Sequence, residues 1–250
     1  MRLLRANADV ETRFGGGFVQ EIDGLTGRGV GGTSDWFFYV NGIEADKGAA
    51  DYELSPGDVV QWDHRDWSAT PDVRAIVGAF PQPFLGGLEG KRFPVRVECD
   101  DATSAPCRKV KRRLRDAGVP ASGASLGAPG NQNVARVVVA DWASARQLPT
   151  ARMIELGPRR SGVFARFADE GKTIELLGAD ERVVRTERKG AGLIAALRPT
   201  DEELVWLVTG VGDEGVEAAA DTLRAPALRD AFAVAVADGR VSRLPLGGRD

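Results

Sequence analysis

The stretch from Trp36 to Trp67, WFFYVNGIEADKGAADYELSPGDVVQWDHRDW, constrains the fold more than any other part of the chain. Trp36, Phe38 and Val40 alternate with Phe37 and Tyr39, and Asn41-Gly42 separates that run from Ile43. An Asn-Gly pair between apolar runs is a strong hairpin signal because both turn residues tolerate positive φ. Further on, Leu54-Ser55-Pro56-Gly57-Asp58 places Pro where φ is set near −65° and Gly where φ must be positive. This predicts a type II turn feeding a strand through Trp62, with Leu54 plugging the core just before it.

Two further segments accompany this one. GGGFVQEIDGL (15–25) predicts a strand closing at Asp23-Gly24, and VGAFPQPFLGG (77–87) is rich in Pro and Gly. In that order, with 35–67 between them, they resemble the transcobalamin-like C-terminal domain, a family of mostly uncharacterised bacterial secreted proteins and lipoproteins. The resemblance covers residues 1–93 and implies a β-grasp, a small curved sheet clasping one helix. Family members begin earlier, with a lipoprotein signal and a first hairpin, so the resemblance implies a β-grasp lacking that hairpin. It also implies an extracytoplasmic protein, although Met1-Arg2-Leu3-Leu4-Arg5-Ala6 is too short and too soon polar for a signal peptide. In the animal vitamin B12 carriers a similar domain closes over cobalamin, so a corrinoid is the ligand class implied and cobalamin the ligand to try. Those carriers also use a large helical barrel, which is not recognisable here.

A chain of 250 residues, 43% hydrophobic, accommodates two ordinary domains. The fold class expected is α+β: a β-grasp over 1–93, then an α/β layered domain with a mixed sheet over 94–250. A formal net charge of −3 with interspersed signs leaves no electrostatic footprint for nucleic acid. No apolar run reaches the roughly 18 residues of a transmembrane helix. Residues 2–10 read as the clasped helix, Gly15–Gly17 and a Gly-rich stretch near 27–32 as loops, Ile76-Val77 as a last strand, and Phe80–Phe84 as extended chain. In the second part, 95–99, 136–140 and 204–209 read as strands, and Asp141 as the cap of a short helix. Residues 162–167, 173–177 and 182–186 also read as strands, as a meander. Residues 107–117, 189–198 and 213–224 read as helices, 120–133 as a loop, and Asp238-Gly239 as the turn of a final hairpin.

Catalytic chemistry finds little support in the residues. His64 is the sole histidine, no Gly-x-Ser-x-Gly elbow occurs, and no metal-ligand spacing is present. Gly210-Val211-Gly212-Asp213-Glu214-Gly215 matches G-x-G-x-x-G after a strand and before a helix, so a nucleotide-dependent enzyme is one alternative. Asp213 and Glu214 would crowd negative charge onto a pyrophosphate, and an N-cap by Asp213 explains the pattern better. No cofactor is therefore expected.

Cys99 and Cys107 flank the loop DDATSAP, at a strand end and near a helix start, and could reach disulfide distance. Given the export implied by the resemblance, a bridge is expected, whereas cytosolic thiols would stay reduced. Twelve of the seventeen aromatic residues lie in the first 93, where some alternate side chains must face outward. The function expected is non-enzymatic binding of a small molecule, with a cell-surface protein partner as a further alternative. Tyr39, Asn41, Trp62, His64 and Trp67 are the expected ligand-binding residues, all from the first domain.

Overall fold

The computed structural model describes residues 1–27, 32–68, 72–88 and 90–247. The chain opens with α1 (Arg2–Arg5), a single turn, and the helix expected through residue 10 ends there. Asn7 Nδ2 donates to the Leu3 carbonyl and the Asp9 amide donates to Asp23 Oδ1, drawing the chain into a strand where β-branched Val10 pairs with Ile22. Strands β1 (Val10–Arg13), β2 (Phe18–Ile22) and β3 (Leu25–Thr26) form a small antiparallel sheet. Asp23 and Gly24 turn at positive φ, as the Asp-Gly pair predicts. Of the Gly-rich stretch near 27–32, residues 28–31 lie outside the described residues.

A second three-stranded sheet has the order β5-β4-β6, from β4 (Ser34–Val40), β5 (Ile43–Glu44) and β6 (Val60–Asp66). Asn41 (φ 56°) and Gly42 (φ 78°) make the hairpin turn, and a Cβ on Gly42 would sit 2.6 Å from the Ile76 carbonyl oxygen. Glycine is needed there for both reasons. The Ser55–Asp58 turn closes with an Asp58 amide to Ser55 carbonyl bond of 3.1 Å, with Gly57 at φ 90°. Leu54, expected in the core, is 39% exposed. The residue beside a surface turn can stay outside when the sheet it precedes is covered by other groups.

The Pro-rich segment that follows is not a free linker. Ile76 and Val77 form no strand; Ala75 makes one bridge to Ile43, the Ile76 amide donates to the Gly42 carbonyl, and the Val77 amide donates to the Phe232 carbonyl. Phe80–Phe84, expected extended, runs through successive turns that set Phe80 and Phe84 against Trp206, at ring distances of 6.0 and 4.9 Å.

The rest of the chain supplies β7 (Val95–Cys99), α2 (Ala105–Asp116), β8 (Ala121–Ser125), β9 (Val134–Val139) and the short α3 (Trp142–Ala145), α4 (Pro149–Arg152) and α5 (Pro158–Ser161). Then come the meander β10 (Ala165–Ala168), β11 (Thr173–Leu177) and β12 (Val183–Glu187), followed by β13 (Gly192–Thr200), β14 (Glu203–Gly210), α6 (Gly212–Thr222), α7 (Ala225–Leu228) and the hairpin β15 (Ala233–Ala237) and β16 (Arg240–Leu244). Seven strands form one mixed sheet, β16-β15-β13-β14-β9-β7-β8. Pairs β14/β9, β7/β9 and β7/β8 are parallel, the others antiparallel. The fold is mixed α+β with this sheet at its centre, as expected.

Two expectations in this half are corrected. Residues 189–198 form no helix: Gly192–Thr200 is an interior strand paired on both sides, so burial between β14 and β15 overrides the helical preference of its alanines. Within 120–133, Ala121–Ser125 pairs with β7 as an edge strand. Elsewhere the signals hold. Asp141 Oδ1 accepts from the Ser144 amide at 2.9 Å, and Asp238 and Gly239 turn the last hairpin at φ 49° and 72°.

Both faces of the large sheet are covered. One face packs Val97, Ala135, Val137, Trp206 and Val208 against α2, α6, Phe80 and Phe84. The other packs Val138, Leu193, Val205 and Leu207 against the meander and the short helices, where Trp142 stacks on Phe167 at 3.9 Å. Cys99 and Cys107 are joined by a disulfide with Cα atoms 6.1 Å apart, tying β7 to the first turn of α2. Inside the sheet, fully buried Glu98 accepts from Arg136 Nε and Nη2 at 2.8 and 2.9 Å and from Arg96. Burial alone would raise the Glu98 carboxyl, but the bonds from Arg136 and Arg96 outweigh it and hold the group below the ordinary carboxylate range.

Candidate functional site

Strand β6 lies at one edge of its sheet, and its register with β4 fixes which backbone groups are spoken for. The Asn41 amide bonds the Val59 carbonyl and the Trp67 amide bonds the Thr33 carbonyl, so the hydrogen-bonded pairs fall on odd-numbered residues. Such pairs recur at every second residue of an antiparallel ladder. The Ala45 amide to Phe38 carbonyl bond agrees, since β4 uses its even residues toward β5. Gln61, Asp63 and Arg65 therefore bond β4, while Val60, Trp62, His64 and Asp66 aim their N–H and C=O groups away from it.

That outward edge borders a cleft of about 1450 Å³. All seven residues of β6 line one side; Val241–Gly247, from edge strand β16 and the chain after it, line the other. Phe164, Phe232, Ala227, Asp180 and Asp230 complete the walls, and Gln61 Nε2 donates to the Asp230 carbonyl at 3.2 Å, bridging the two sides.

The side chains of β4 and β6 divide cleanly by face. Trp36, Phe38, Trp62 and His64 share one face, where Phe38 and Trp62 stack at 4.9 Å and His64 meets the edge of Trp36 at 5.1 Å. The opposite face carries a charged knot toward the large sheet. Arg65 reaches Glu44 at 2.7 Å, Asp63 at 3.5 Å and the Tyr39 hydroxyl at 2.6 Å, and its guanidinium lies 4.0 Å from the Phe37 ring centre. Burial works against the Arg65 charge, yet Tyr39, Glu44 and Asp63 more than offset it and raise its pKa. Burial raises Glu44 and Asp63, with Arg65 opposing in each case, and pushes the Tyr39 phenol far above its usual range.

The structure separates the five expected ligand residues. Trp62 and His64 line the cleft. Tyr39 is fully buried, tilted against Phe232 at 5.8 Å. Asn41 is buried too, donating to Asp58 Oδ1 and the Gly87 carbonyl and accepting from the Val59 amide, so it braces the turn. Trp67 stands past the end of β6, 36% exposed, with Nε1 donating to Asp35 Oδ2 at 2.9 Å. The second part supplies the cleft residues that sequence reasoning missed: Phe164, Asp180, Asp230, Phe232 and the β16 edge. No signal in the sequence tied them to the site, since proximity to β6 comes from long-range packing.

In the Gly210–Gly215 loop close packing requires Gly210 and Gly215, and a positive φ of 68° favours Gly212. A Cβ on Gly210 would lie 2.5 Å from the Gly215 carbonyl carbon and 2.6 Å from the Ala191 oxygen, and the Val211 amide already bonds that oxygen at 2.8 Å. Asp213 is not the N-cap; Val211 holds that position and Asp213 and Glu214 occupy the first helical turn, with Glu214 3.3 Å from Lys189. Among the described residues no cluster of His, Cys, Asp and Glu could hold a metal ion, and no helix is long and apolar enough to cross a membrane.

A family model described as a domain of unknown function, DUF4430, matches residues 1–65; this family is the transcobalamin-like domain. The match takes in both small sheets and nearly all of β6, and ends short of the 77–87 segment that the resemblance included. No curated protein matches the chain.

Proposed function

We propose that this is a non-enzymatic, extracytoplasmic binding protein whose ligand enters the cleft between β6 and β16. The observation that carries this reading is the cleft itself. One 1450 Å³ volume gathers flat Trp62, apolar Val60, Val241 and Leu246, and the polar Asp63, His64 and Asp230. Mixed apolar and convergent polar walls suit ligand binding. A division into domains 1–93 and 94–250 belongs to the same reading, each contributing one wall. The Cys99–Cys107 disulfide supports a location outside the reducing cytosol.

A corrinoid or similar planar ligand is the class suggested by the transcobalamin-like match over residues 1–65, and Trp62, stacked on Phe38, is the aromatic residue that β6 contributes to the cleft lining. His64 weighs against cobalt ligation through Nε2, because that nitrogen is buried. The test is titration with cobalamin and cobinamide, following tryptophan quenching and the corrin bands, in wild type and Trp62→Ala. Saturable binding that Trp62→Ala weakens about two- to tenfold is expected for loss of one stacking contact. No saturation up to high micromolar ligand would remove corrinoids as the class.

A further inference from the structure

The cleft border is a peptide main chain with unused hydrogen-bonding groups. Val60, Trp62, His64 and Asp66 direct their N–H and C=O outward, and among the described residues no backbone bond outside the β4 ladder takes up those of Trp62 and His64. Edges of this kind are ordinarily blunted by lysine, proline or a bulge. Strand β6 reads Val-Gln-Trp-Asp-His-Arg-Asp and pairs with β4 in unbroken register, so it has no lysine, proline or bulge, and its charged Asp63 and Arg65 are turned to one face and paired there.

Charge narrows the occupant. Asp63, Asp66, Asp180 and Asp230 line the cleft against Arg65 and Arg243. Both arginines are engaged, Arg65 by Glu44, Asp63 and Tyr39, and Arg243 by the Pro226 carbonyl. Asp63 is engaged by Arg65 and Asp180 by Arg182, at 3.5 Å each, and by count four carboxylates of the lining face two guanidiniums, so the surface favours positive charge.

We propose that the cleft takes an extended, positively charged peptide segment as a strand added to β6. This rests on the reading of the cleft as the binding site and names the class of ligand. Main-chain bonds from Trp62 and His64 would hold the peptide, with alternate side chains setting specificity. Peptide residues opposite Trp62 and His64 share the aromatic face and suit apolar side chains. Those opposite Gln61 and Asp63 share the face of Asp63 and suit lysine or arginine, while Arg65 on that face is already held by Glu44, Asp63 and Tyr39.

The probe is a synthetic peptide of roughly ten residues alternating valine and lysine, long enough to span β6. Its binding is followed by tryptophan fluorescence and calorimetry. Two controls carry N-methyl groups, one on the amides that would face β6 and one on the alternate amides. His64→Pro removes an outward N–H without touching a β4 bond, with melting temperature and circular dichroism checking that the fold persists. Saturable binding is expected, lost by at least about tenfold with the inward N-methyl peptide and with His64→Pro, and retained with the alternate N-methyl peptide. Equal binding of both N-methyl peptides would overturn the added strand, leaving only charge attraction. Corrinoid binding without peptide binding would overturn the peptide while the cleft reading stands, and failure of both ligands would overturn both.

Discussion

The two regions of this molecule, residues 1–66 and residues 94–247, are both built largely of strands, yet they bury side chains in opposite ways. The first fully buries little of its own between its sheets, Val19, Ile22 and Ala49, and packs Trp36, Phe38 and Trp62 around them half-covered. The second covers both faces of a seven-stranded sheet. Where the first region buries large groups completely, as at Tyr39 and Ile43, it does so within clusters shared with the second. A three-stranded sheet needs a partner for its open face. Here that partner is the large sheet's surroundings, and the cleft lies at the border where the docking stops.

The largest loss of stability is expected inside the large sheet. Glu98→Ala removes the carboxylate that takes Nε and Nη2 of Arg136, 2% exposed, leaving it only Glu203 at 3.3 Å, and should lower the unfolding free energy by about 3–5 kcal/mol in a denaturant titration. Removing the Cys99–Cys107 bridge as a double serine variant should remove about 2–3 kcal/mol by the chain-entropy estimate for so short a loop. Nonreducing mass spectrometry verifies the bridge in the parent protein. At the junction, Tyr39→Phe takes one acceptor from Arg65 and should weaken stability by about 1 kcal/mol. Fluorescence of Trp36 and Trp62 should report that loss together with global unfolding if the two regions stand or fall as one.

Proton linkage sharpens the contrast, because the two regions carry opposite signs. Glu98 is held below the ordinary carboxylate value of 4.5, so its stabilisation is full above that pH and is lost as pH falls through its lowered pKa. Glu44 is raised from the same 4.5 by burial, so the folded state binds its proton more tightly and stability falls as pH rises from there through the raised pKa. Glu44→Gln should flatten the descent of melting temperature with rising pH above about 4.5 and leave the acid-side loss in place. An unchanged slope on the higher-pH side would show that Glu44 does not carry it.

Local chemistry made much of this legible from residues alone. Asn41-Gly42, Asp23-Gly24 and Asp238-Gly239 each mark a turn that only positive φ can make, and Asp141 caps the helix it precedes. The failures share a different cause. Gly192–Thr200 is alanine-rich and became a strand through pairing with segments on both sides, while Ala121–Ser125 offers no apolar pattern at all. Alternation along β4 and β6 shows which residues share a face, but not what covers it. For that reason Tyr39 was expected at a ligand and lies against Phe232 instead, and Asp180 and Asp230 carried no signal linking them to Trp62.

That β6 is an open edge beside the cleft is tested most directly by residue-resolved amide hydrogen exchange of the free protein. Slow exchange is predicted at Gln61, Asp63 and Arg65, whose amides bond β4, and fast exchange at Trp62 and His64, whose amides face the cleft. Adding the alternating valine-lysine peptide should slow Trp62 and His64 selectively. Uniform protection along β6 before any ligand is added would contradict the open edge, and with it the placement of the binding site.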